Sequence, residues 1–420
     1  MSAVKGWAVT SIEECCEVLD NMRVPINSED RDKRIGEIPY YGANGLQGYI
    51  DDYIFDEPLI LLAEDGGRFE EFATRPIAYR IYGKSWVNNH AHVLRAKKGF
   101  CQDTIFYMLE HKDIQPFIVG GTRSKLNQHA LRSIAITLPD SFVEQSKIAE
   151  ILSTVDRAIE QTEALIAKQQ RIKTGLMQDL LTRGIDKHGN LRSEETHQFK
   201  DSPLGRIPVE WTVEKLGAVS QISSGLTLGK KHSGPNTIEL PYLRVANVQD
   251  GYLDLSDIKT IRVPFSYIEK YQLNIGDVLM NEGGDFDKLG RGTVWRGEID
   301  QCLHQNHVFK VRPDAEKLSS EFLALISSSP YGKSFFVLAS KQSTNLASIN
   351  STQLNSFPLP LPSYKEQKRI ETVLKKQIQI IQSAESRLKK LHSLKTALMQ
   401  DLLTGKVRVT PLIKDTEAQA

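Results

Sequence analysis

Residues 144–182 read EQSKIAEILSTVDRAIEQTEALIAKQQRIKTGLMQDLLT, and residues 366–404 read EQKRIETVLKKQIQIIQSAESRLKKLHSLKTALMQDLLT. The two segments align without a gap at a shift of 222 positions, with 16 of 39 residues identical. Neither contains proline, and both are rich in Leu, Ile, Ala, Glu, Gln and Lys, which favour helices. We therefore expect two related long helices, each about 58 Å long at about 1.5 Å per residue.

Apolar residues recur in both segments at steps of three and four, the spacing of a narrow helical seam. A single helix cannot bury such a seam, so we predict that the two helices pack on each other as a coiled coil. Two amphipathic helices in separate cores are a weaker interpretation, because the register is the same in both segments. A further stripe places Ile172 and Leu394 on the same seam. The predicted pairing residues are Ile148, Leu152, Val155, Ile159, Ile166, Leu176, Ile370, Leu374, Ile381, Leu388 and Leu398.

The sequence outside these helices repeats more weakly. Residues 61–67 match residues 278–284 at a shift of 217, and Asn89-His90 matches Asn306-His307 at the same shift. Short apolar runs between Gly, Pro and Asp clusters are typical of strands and turns. We therefore predict an α+β fold with two mixed α/β globules and two long helices. The expected segments are a first globule at 1–140, a helix at 141–183, a linker at 184–206, a second globule at 207–362, a helix at 363–405 and a tail at 406–420.

Composition narrows the class of protein. The chain has 420 residues, of which 40% are apolar and 25% charged, which excludes a disordered protein. No apolar run exceeds five residues, far short of the roughly twenty that cross a bilayer, so we expect a cytoplasmic protein. The formal charge of +1 argues against indiscriminate coating of nucleic acid, because such binding needs many Lys and Arg side chains.

Motifs for catalysis are weak throughout the sequence. Residues 225–231 come nearest to a phosphate-binding loop, but they are one residue short and lack the hydroxyl for magnesium. No Pro-Pro pair is present for an adenine methyltransferase, and no G-x-S-x-G elbow for a serine hydrolase. His304 and His307 have a spacing found in metal sites, without companion ligands around them. We therefore expect neither catalytic residues nor a metal site.

Three kinds of loop could contact nucleic acid. Paired glycines permit close backbone approach to a ligand, although a simple hairpin turn explains them equally well. Hydroxyl and amide side chains before each long helix can reach phosphates and base edges. Asn can read adenine, but turn capping is the favoured role for the repeated Asn-His pairs. The candidate DNA-binding residues are Gly67, Arg68, Lys84, Asn89, Thr122, Arg123, Ser124, Lys125, Gly284, Lys288, Arg291, Asn306, Lys341, Gln342, Ser343, Thr344 and Asn345.

Taken together, these segments resemble a known family. The order is a globule, a helix ending GLMQDLLT, the restart DSPLGRIPVEW, a second globule and a helix ending ALMQDLLTGKVRV. This order resembles the DNA-specificity subunit of a Type I restriction-modification system, and the resemblance covers nearly the whole chain. The helix entry, the helix exit and the Gly205 to Trp211 restart are modest signals separately and specific jointly.

The resemblance implies a non-catalytic protein that binds double-stranded DNA. Two target-recognition domains would each read one half of a split site, and an antiparallel helix pair with pseudo-twofold symmetry would space them. The helices would also dock two methyltransferase subunits, which restriction subunits join. S-adenosylmethionine, ATP and magnesium are then expected on the partner subunits, with no cofactor in this chain and no membrane contact.

Two alternatives to this interpretation remain open. The chain could be a coiled-coil tethering protein without DNA recognition. It could also be a self-contained DNA methyltransferase or nuclease whose motifs have diverged. Methyl transfer by the isolated chain would favour the enzyme, and exclusive association with other partners would favour the tether.

Overall fold

A computed structural model describes residues 4–120, 124–229, 232–284, 289–290, 292–342 and 347–417. The chain divides into two compact units. Unit 1 comprises Met1–Ala164 and Glu385–Ala420, and unit 2 comprises Leu165–Ala384. Each unit therefore contains one globule together with part of each long helix.

Unit 1 combines short strands with helices. Its strands are β1 (Trp7–Ser11), β2 (Cys16–Val18), β3 (Ile38–Gly42), β4 (Gly45–Ile50), β5 (Phe55–Asp56), β6 (Leu59–Ala63), β7 (Ala78–Ile81), β8 (Lys84–Val87), β9 (Ala91–Ala96) and β10 (Ala135–Pro139). Its helices are α1 (Ile12–Cys15), α2 (Ser28–Lys33), α3 (Gln102–Glu110), α4 (Gln128–Ser133), the first part of α5 (Phe142–Thr182), and the C-terminal helix Thr410–Glu417.

The described residues of unit 1 form three sheets. The central sheet has the order β2-β9-β6-β7 and is antiparallel throughout. A second sheet, β4-β3-β8-β5, contains the parallel pair β3 and β8, and β1 pairs with β10. All five residues of β6 are buried, which explains its unbroken apolar sequence LILLA. The main core lies between the central sheet, α3 and the start of α5.

Unit 2 has the same kinds of element. Its strands are β11 (Phe199–Ser202), β12 (Gly205–Pro208), β13 (Thr212–Lys215), β14 (Ser220–Ser224), β15 (Thr237–Leu243), β16 (Lys259–Pro264), β17 (Val278–Asn281), β18 (Gly283–Gly284), β19 (Gly292–Val294), β20 (Leu303–His304), β21 (Val308–Pro313), β22 (Lys341–Gln342), β23 (Ala347–Ser348) and β24 (Pro358–Leu361). Its helices are α6 (Ser266–Tyr271), α7 (Ser320–Ser328), α8 (Pro330–Ala339), α9 (Ser351–Asn355), the second part of α5, and the first part of α10 (Tyr364–Leu402).

The sheets of unit 2 repeat those of unit 1. The antiparallel order β14-β21-β17-β19 corresponds to β2-β9-β6-β7, and the pair β13 and β24 corresponds to β1 and β10. The parallel pair β15 and β20 corresponds to β3 and β8. This correspondence confirms the predicted fold of two related mixed α/β globules joined to long helices.

The long helices pair antiparallel in both units. In unit 1, Ile148 and Leu152 near the start of α5 share a core with Leu402 at the end of α10. In unit 2, Leu180 near the end of α5 shares a core with Ile370 near the start of α10. Polar contacts join the same helices, including Gln377 Nε2 donating to the Gln169 carbonyl oxygen at 2.9 Å.

The predicted pairing residues differ in burial. Ile148, Leu152, Val155, Ile159, Ile370, Leu374 and Ile381 are buried. Ile166, Leu176, Leu388 and Leu398 are half-buried. Ile172 and Leu394, which the stripe placed on the seam, are 39% and 46% exposed. The seam is therefore narrower near these two equivalent positions than the sequence spacing predicts, since a straight helix drifts away from a seven-residue repeat.

Both long helices carry the sequence Glu-Gln in their first turn, and each glutamate binds an arginine that follows the end of a long helix. Glu366 accepts hydrogen bonds from both terminal nitrogens of Arg192, and it also accepts from the Ile185 amide at 3.0 Å. Glu144 accepts from Arg408 Nε at 2.6 Å and from Arg408 Nη2 at 2.7 Å. We define these two contacts as the glutamate clamps.

The clamps hold chain segments that the sequence presented as a linker and a tail. Ile185 and Arg192, within the expected linker 184–206, are buried in unit 2, and β11 and β12 form a hairpin in the same segment. Val409, in the expected tail, is buried in unit 1. Both segments pack apolar side chains into a core, and each also supplies the cation that a buried glutamate needs.

Within the described ranges, no single helix has both the length and the apolar character needed to cross a membrane. Helices α7 and α8 reach this length and apolar character only when they are taken together, and the chain bends by 71° at the break between them.

Candidate nucleic-acid interface

Three loops that are distant in the sequence of unit 1 meet at one edge of the central sheet. The first follows β6, the second joins β8 to β9, and the third precedes α4. Backbone bridges join Asp65 of the first loop to Lys125 of the third, and Lys125 to Val119. The Glu64 amide donates to the His90 carbonyl oxygen at 2.9 Å, which joins the first loop to the second. We call this surface the loop edge of unit 1.

Unit 2 has an equivalent loop edge. Its first loop contains β18, which pairs with β23, and β23 pairs with β22. The Glu282 amide donates to the His307 carbonyl oxygen at 3.0 Å, and the Ile349 amide donates to the Glu282 carbonyl oxygen at 2.8 Å. The predicted glycine loops, Asn-His turns and loops before the long helices therefore converge separately in each unit.

The backbone bonds show that the repeat at the first loop differs by one residue from the sequence alignment. In unit 1, the Leu126 amide donates to the Glu64 carbonyl oxygen, as the Ile349 amide does to Glu282. Residue 64 thus corresponds to 282, a shift of 218 rather than 217. The strand registers agree, because Ala63 pairs with Ala91 and Asn281 pairs with Val308.

A histidine binds a carboxylate at the same place in both loop edges. His90 Nδ1 lies 2.6 Å from Asp65 Oδ1, and His307 Nδ1 lies 2.5 Å from Glu282 Oε2. The two carboxylates come from non-equivalent backbone positions, since residue 65 corresponds to residue 283. The same side-chain pair is therefore built in two ways, with the longer glutamate reaching from one position earlier.

Both histidines remain open to solvent, with side chains 39% and 56% exposed. Because Nδ1 faces the carboxylate, Nε2 is the ring atom left to contact a ligand, although Nε2 of His307 also lies 3.4 Å from Asn306 Nδ2. A protonated ring would donate from Nε2 to a phosphate or a guanine acceptor, and a neutral ring would accept from a base amino group. The sequence hypothesis chose the neighbouring asparagines, although the repeated His and the nearby acidic residues were a usable signal.

Turn capping is performed by a different asparagine. Asn88 Oδ1 accepts from the His90 amide at 2.8 Å, and Asn88 is buried. Asn89 is exposed, and its carbonyl oxygen accepts from Arg23 at 3.3 Å. Asn306 is half-buried, with Nδ2 3.4 Å from His307 Nε2. Asn89 and Asn306 thus flank the histidines at the loop edges.

Below the loop edge of unit 1 lies an ionic cluster around the buried His92. His92 Nδ1 lies 2.6 Å from Asp20 Oδ2, and its Nε2 lies 2.8 Å from the Leu126 carbonyl oxygen. Glu64 binds Arg23 at 2.7 Å and Lys125 at 3.0 Å. The donor atoms of Asp20, Glu64 and His92 lie within 4.8 Å of one another, as in a metal site. The two cationic side chains already on Glu64 do not fit a cation site.

Two pKa values in this cluster are lowered despite burial. Burial raises the pKa of Asp20, but hydrogen bonds from His92 and the Val93 amide, with the charge of Arg23, bring it below its ordinary value. Burial likewise raises the pKa of Glu64, and hydrogen bonds from Arg23 and Lys125 outweigh it, so that its pKa is also lowered. Both carboxylates are therefore ionised at neutral pH and fix the loop from beneath.

The described DNA-binding candidates lie in different places. Gly67, Ser124, Lys125, Gly284 and Lys341 lie on the loop edges, and the backbone of Gln342 forms part of β22. Lys84 begins β8, at the end opposite the loop edge, and its Nζ lies 4.5 Å from the centre of the Tyr53 ring. Arg68 is 61% exposed beside Glu71. Seven candidates lie outside the described residues: Thr122, Arg123, Lys288, Arg291, Ser343, Thr344 and Asn345.

His304 and His307 do not share a site. His304 is fully buried in β20, and its Nδ1 lies 2.9 Å from the Tyr271 carbonyl oxygen. Burial lowers the pKa of His304 to about 4, so its ring is neutral. His307 faces Glu282 at the surface. Their three-residue spacing lies across a strand end and a turn, not on one helical face.

Comparison with known proteins identifies the class. Residues 4–169 and 208–393 match the family of Type I restriction modification DNA specificity domains. The chain is similar to a putative type I restriction enzyme specificity subunit of Haemophilus influenzae, with 24% identity over 87% of this chain and 86% of that one. It is also similar to the MjaVIII specificity subunit of Methanocaldococcus jannaschii, with 27% identity over 86% and 82% of the two chains.

A solved structure supports the fold. The S subunit of the Type I restriction-modification system of M. genitalium matches with a TM-score of 0.62 and 14% identity, over 96% of this chain and 98% of that one. The family match covers both repeats, so the chain belongs to the Type I restriction-modification DNA specificity family. It is a DNA specificity subunit, and the tethering and diverged-enzyme alternatives are not favoured.

Proposed function

We propose that each unit reads one half of a bipartite double-stranded DNA site with its loop edge. The observation that carries this proposal is the convergence of the same three loops in both units. Loops held by a rigid sheet are a common way to place side chains at base edges and phosphates. The two loop edges differ in sequence, so the two half-sites should differ as well.

The helix pair acts as the spacer between the half-sites and as the docking surface for two methyltransferase subunits. Restriction subunits then join through this core complex. The two long helices pair antiparallel in both units, and each buries its seam against the other. This pairing supports the proposal that they form a stiff spacer. The relatives named above are specificity subunits of restriction enzymes, which supports a role within such a complex.

In this proposal the chain recognises DNA and catalyses no reaction. S-adenosylmethionine, ATP and magnesium would bind on the partner subunits, and the absence of a Pro-Pro motif from the sequence supports this division. Incubation of the isolated chain with DNA and labelled S-adenosylmethionine should give no methyl transfer. Transfer by the isolated chain would contradict this division.

Methylome sequencing tests the recognition proposal. Cells that express this chain with the methyltransferase subunit of its system should gain methylation at one split sequence with two unlike halves. Exchange of the first globule, residues 1–140, for that of another family member should change one half only. A continuous site, or methylation that does not depend on this chain, would contradict the proposal.

The loop-edge histidines give a residue-level prediction. His90→Gln and His307→Gln in the assembled methyltransferase complex should each weaken binding of the cognate duplex about tenfold, the scale of about 1 to 3 kcal/mol for one base contact. Fluorescence anisotropy with a labelled duplex measures the Kd. His129→Gln, at an exposed position in α4, serves as the control. Wild-type affinity in both loop-edge variants would remove the histidines from the interface.

A further inference from the structure

A polar cluster in unit 1 joins the globule to both long helices. Lys395 Nζ of α10 lies 2.8 Å from Glu110 Oε1 of α3 and 2.9 Å from Asp156 Oδ1 of α5. Asp156 Oδ2 also accepts from the Tyr107 hydroxyl at 2.6 Å and binds Arg80 at 2.9 Å. These five side chains fill the space between the globule and the helices.

Internal repetition gives the equivalent positions in unit 2. The long helices correspond at a shift of 222, and α3 corresponds to α7 at a shift of 218, because Gln145 binds the Cys101 amide as Gln367 binds the Ser319 amide. The strand pairs β6–β7 and β17–β19 place residue 80 opposite residue 60 and residue 294 opposite residue 278. The counterparts of Arg80, Tyr107, Glu110, Asp156 and Lys395 are Val294, Leu325, Ser328, Ile378 and Lys173.

All five counterparts line one cleft of about 880 Å³ in unit 2. The substitutions explain the cleft, since three large polar side chains of unit 1 are replaced by Val294, Leu325 and Ser328. Lys173 keeps the position of Lys395. The two carboxylates that bind the lysine in unit 1 are absent at these positions, because Ser328 replaces Glu110 and Ile378 replaces Asp156.

The charges around the cleft favour a negatively charged occupant. Four cations line it, Lys173, Arg296, Lys333 and Lys375, against the carboxylates of Asp250 and Glu321. Glu321 binds Arg296 at 2.6 Å and Lys375 at 3.2 Å, and Asp250 binds Lys333 at 2.8 Å. Among the described lining residues, Lys173 is the one cation without a carboxylate within 4 Å, and it is half-buried.

We propose that this cleft receives an acidic side chain from a methyltransferase subunit, which binds Lys173 as Asp156 and Glu110 bind Lys395 in unit 1. This proposal rests on the proposed docking of that subunit along the long helices. The cleft volume exceeds that of a single carboxylate, so a protruding polypeptide segment fits better than a small anion. In unit 1 the chain's own side chains fill the equivalent place, and the two docking sites are therefore unlike.

Titration of the full chain with the methyltransferase subunit, followed by calorimetry, tests this inference. Lys173→Ala should weaken one of the two binding events at least about tenfold and leave the other unchanged, a loss within the range for removing one partner of an interfacial charge pair. Ile378→Asp should do the same, because it supplies Lys173 with a carboxylate from within the chain. Lys168→Ala, at an exposed position on α5, is the matched control and should bind as wild type does.

The outcomes separate this inference from the proposed function. Failure of the wild-type chain to bind the methyltransferase subunit would overturn both. Wild-type binding by Lys173→Ala would overturn the cleft proposal and leave methyltransferase docking intact. A loss of DNA affinity in Lys173→Ala without a loss of methyltransferase affinity would reassign the cleft to DNA. Thermal unfolding of each variant identifies any loss that results from misfolding.

Discussion

The glutamate clamps are the same interaction at two levels of burial. Arg192 and Glu366 are 7% and 4% exposed, whereas Arg408 is 31% exposed on a buried Glu144. Removal of one partner from a buried ion pair leaves an uncompensated charge, which costs about 3 to 5 kcal/mol. Solvent reaches Arg408, so its removal should cost less.

We therefore predict that Arg192→Ala lowers the free energy of unfolding by about 3 kcal/mol and Arg408→Ala by about 1 kcal/mol. Urea denaturation of the full chain, followed by hydrogen exchange in each unit, measures the two losses. Equal losses, or a larger loss in Arg408→Ala, would contradict the dependence on burial.

The ionic cluster in unit 1 predicts a loss of stability in acid. The pKa values of Asp20 and Glu64 are lowered in the folded chain, so their stabilisation is complete above the ordinary values near about 4. It is lost as the pH falls through the folded-state pKa values, because the unfolded chain then binds more protons. Urea midpoints measured between pH 6 and pH 3 should fall more steeply for the wild type than for Asp20→Asn. Parallel slopes would contradict the role of Asp20.

Individual site residues were harder to predict than the loops that carry them. The loops were found from repeated Gly-Gly and Asn-His pairs, which survive in the sequence of both units. Which side chain faces outward depends on hydrogen bonds that form only after folding, such as Asn88 to the His90 amide. Lys84 is the first residue of β8, and the strand places it away from the loop edge.

At the scale of single elements, two glycines have opposite roles: Gly175 lies inside α5, and Gly184 follows its end. An alanine side chain at Gly175 would meet no atom within 4 Å, and the second long helix has Ala397 at this place. Gly184, just after α5, has a φ of +65°, and a methyl group there would overlap the Glu366 carboxylate and the Trp211 indole. Glycine is costly inside a helix and favourable at a left-handed position after its end.

Gly175→Ala should therefore stabilise the chain by about 0.5 to 1 kcal/mol, and Gly184→Ala should destabilise it by about 2 kcal/mol or more. The thermal unfolding midpoint of each variant gives the sign of the change. Destabilisation by Gly175→Ala would contradict its open position on the helix surface.

Helices were predicted more closely than strands. Both long helices have a period and a repeated sequence over about ten turns, which fixes their register. The strands are short, and the alignment of paired glycines shifted their equivalence by one residue. Hydrogen bonding between β6 and β9 sets the true register. No residue of these two strands indicates that register in the sequence.

For the whole molecule, repetition in the sequence was sufficient to predict two related domains and a helix pair. It was not sufficient to predict that the segments after each helix return to a globule, because the glutamate clamps join residues far apart in the chain. The cleft in unit 2 was also hidden, since it arises from several separate substitutions between the repeats. These positions are far apart in the sequence, and they are seen to form one site only when the two folded units are compared.

The central claim is that the helix pair sets the distance between two half-sites. Helix α5 passes from unit 1 to unit 2 after Ala164, and α10 returns after Ala384. A seven-residue insertion at both points adds about 10 Å and keeps the seam in phase. Methylome sequencing of cells with this variant should show unchanged half-sites separated by about three more base pairs, at about 3.4 Å each. An unchanged gap, or altered half-sites, would contradict the claim.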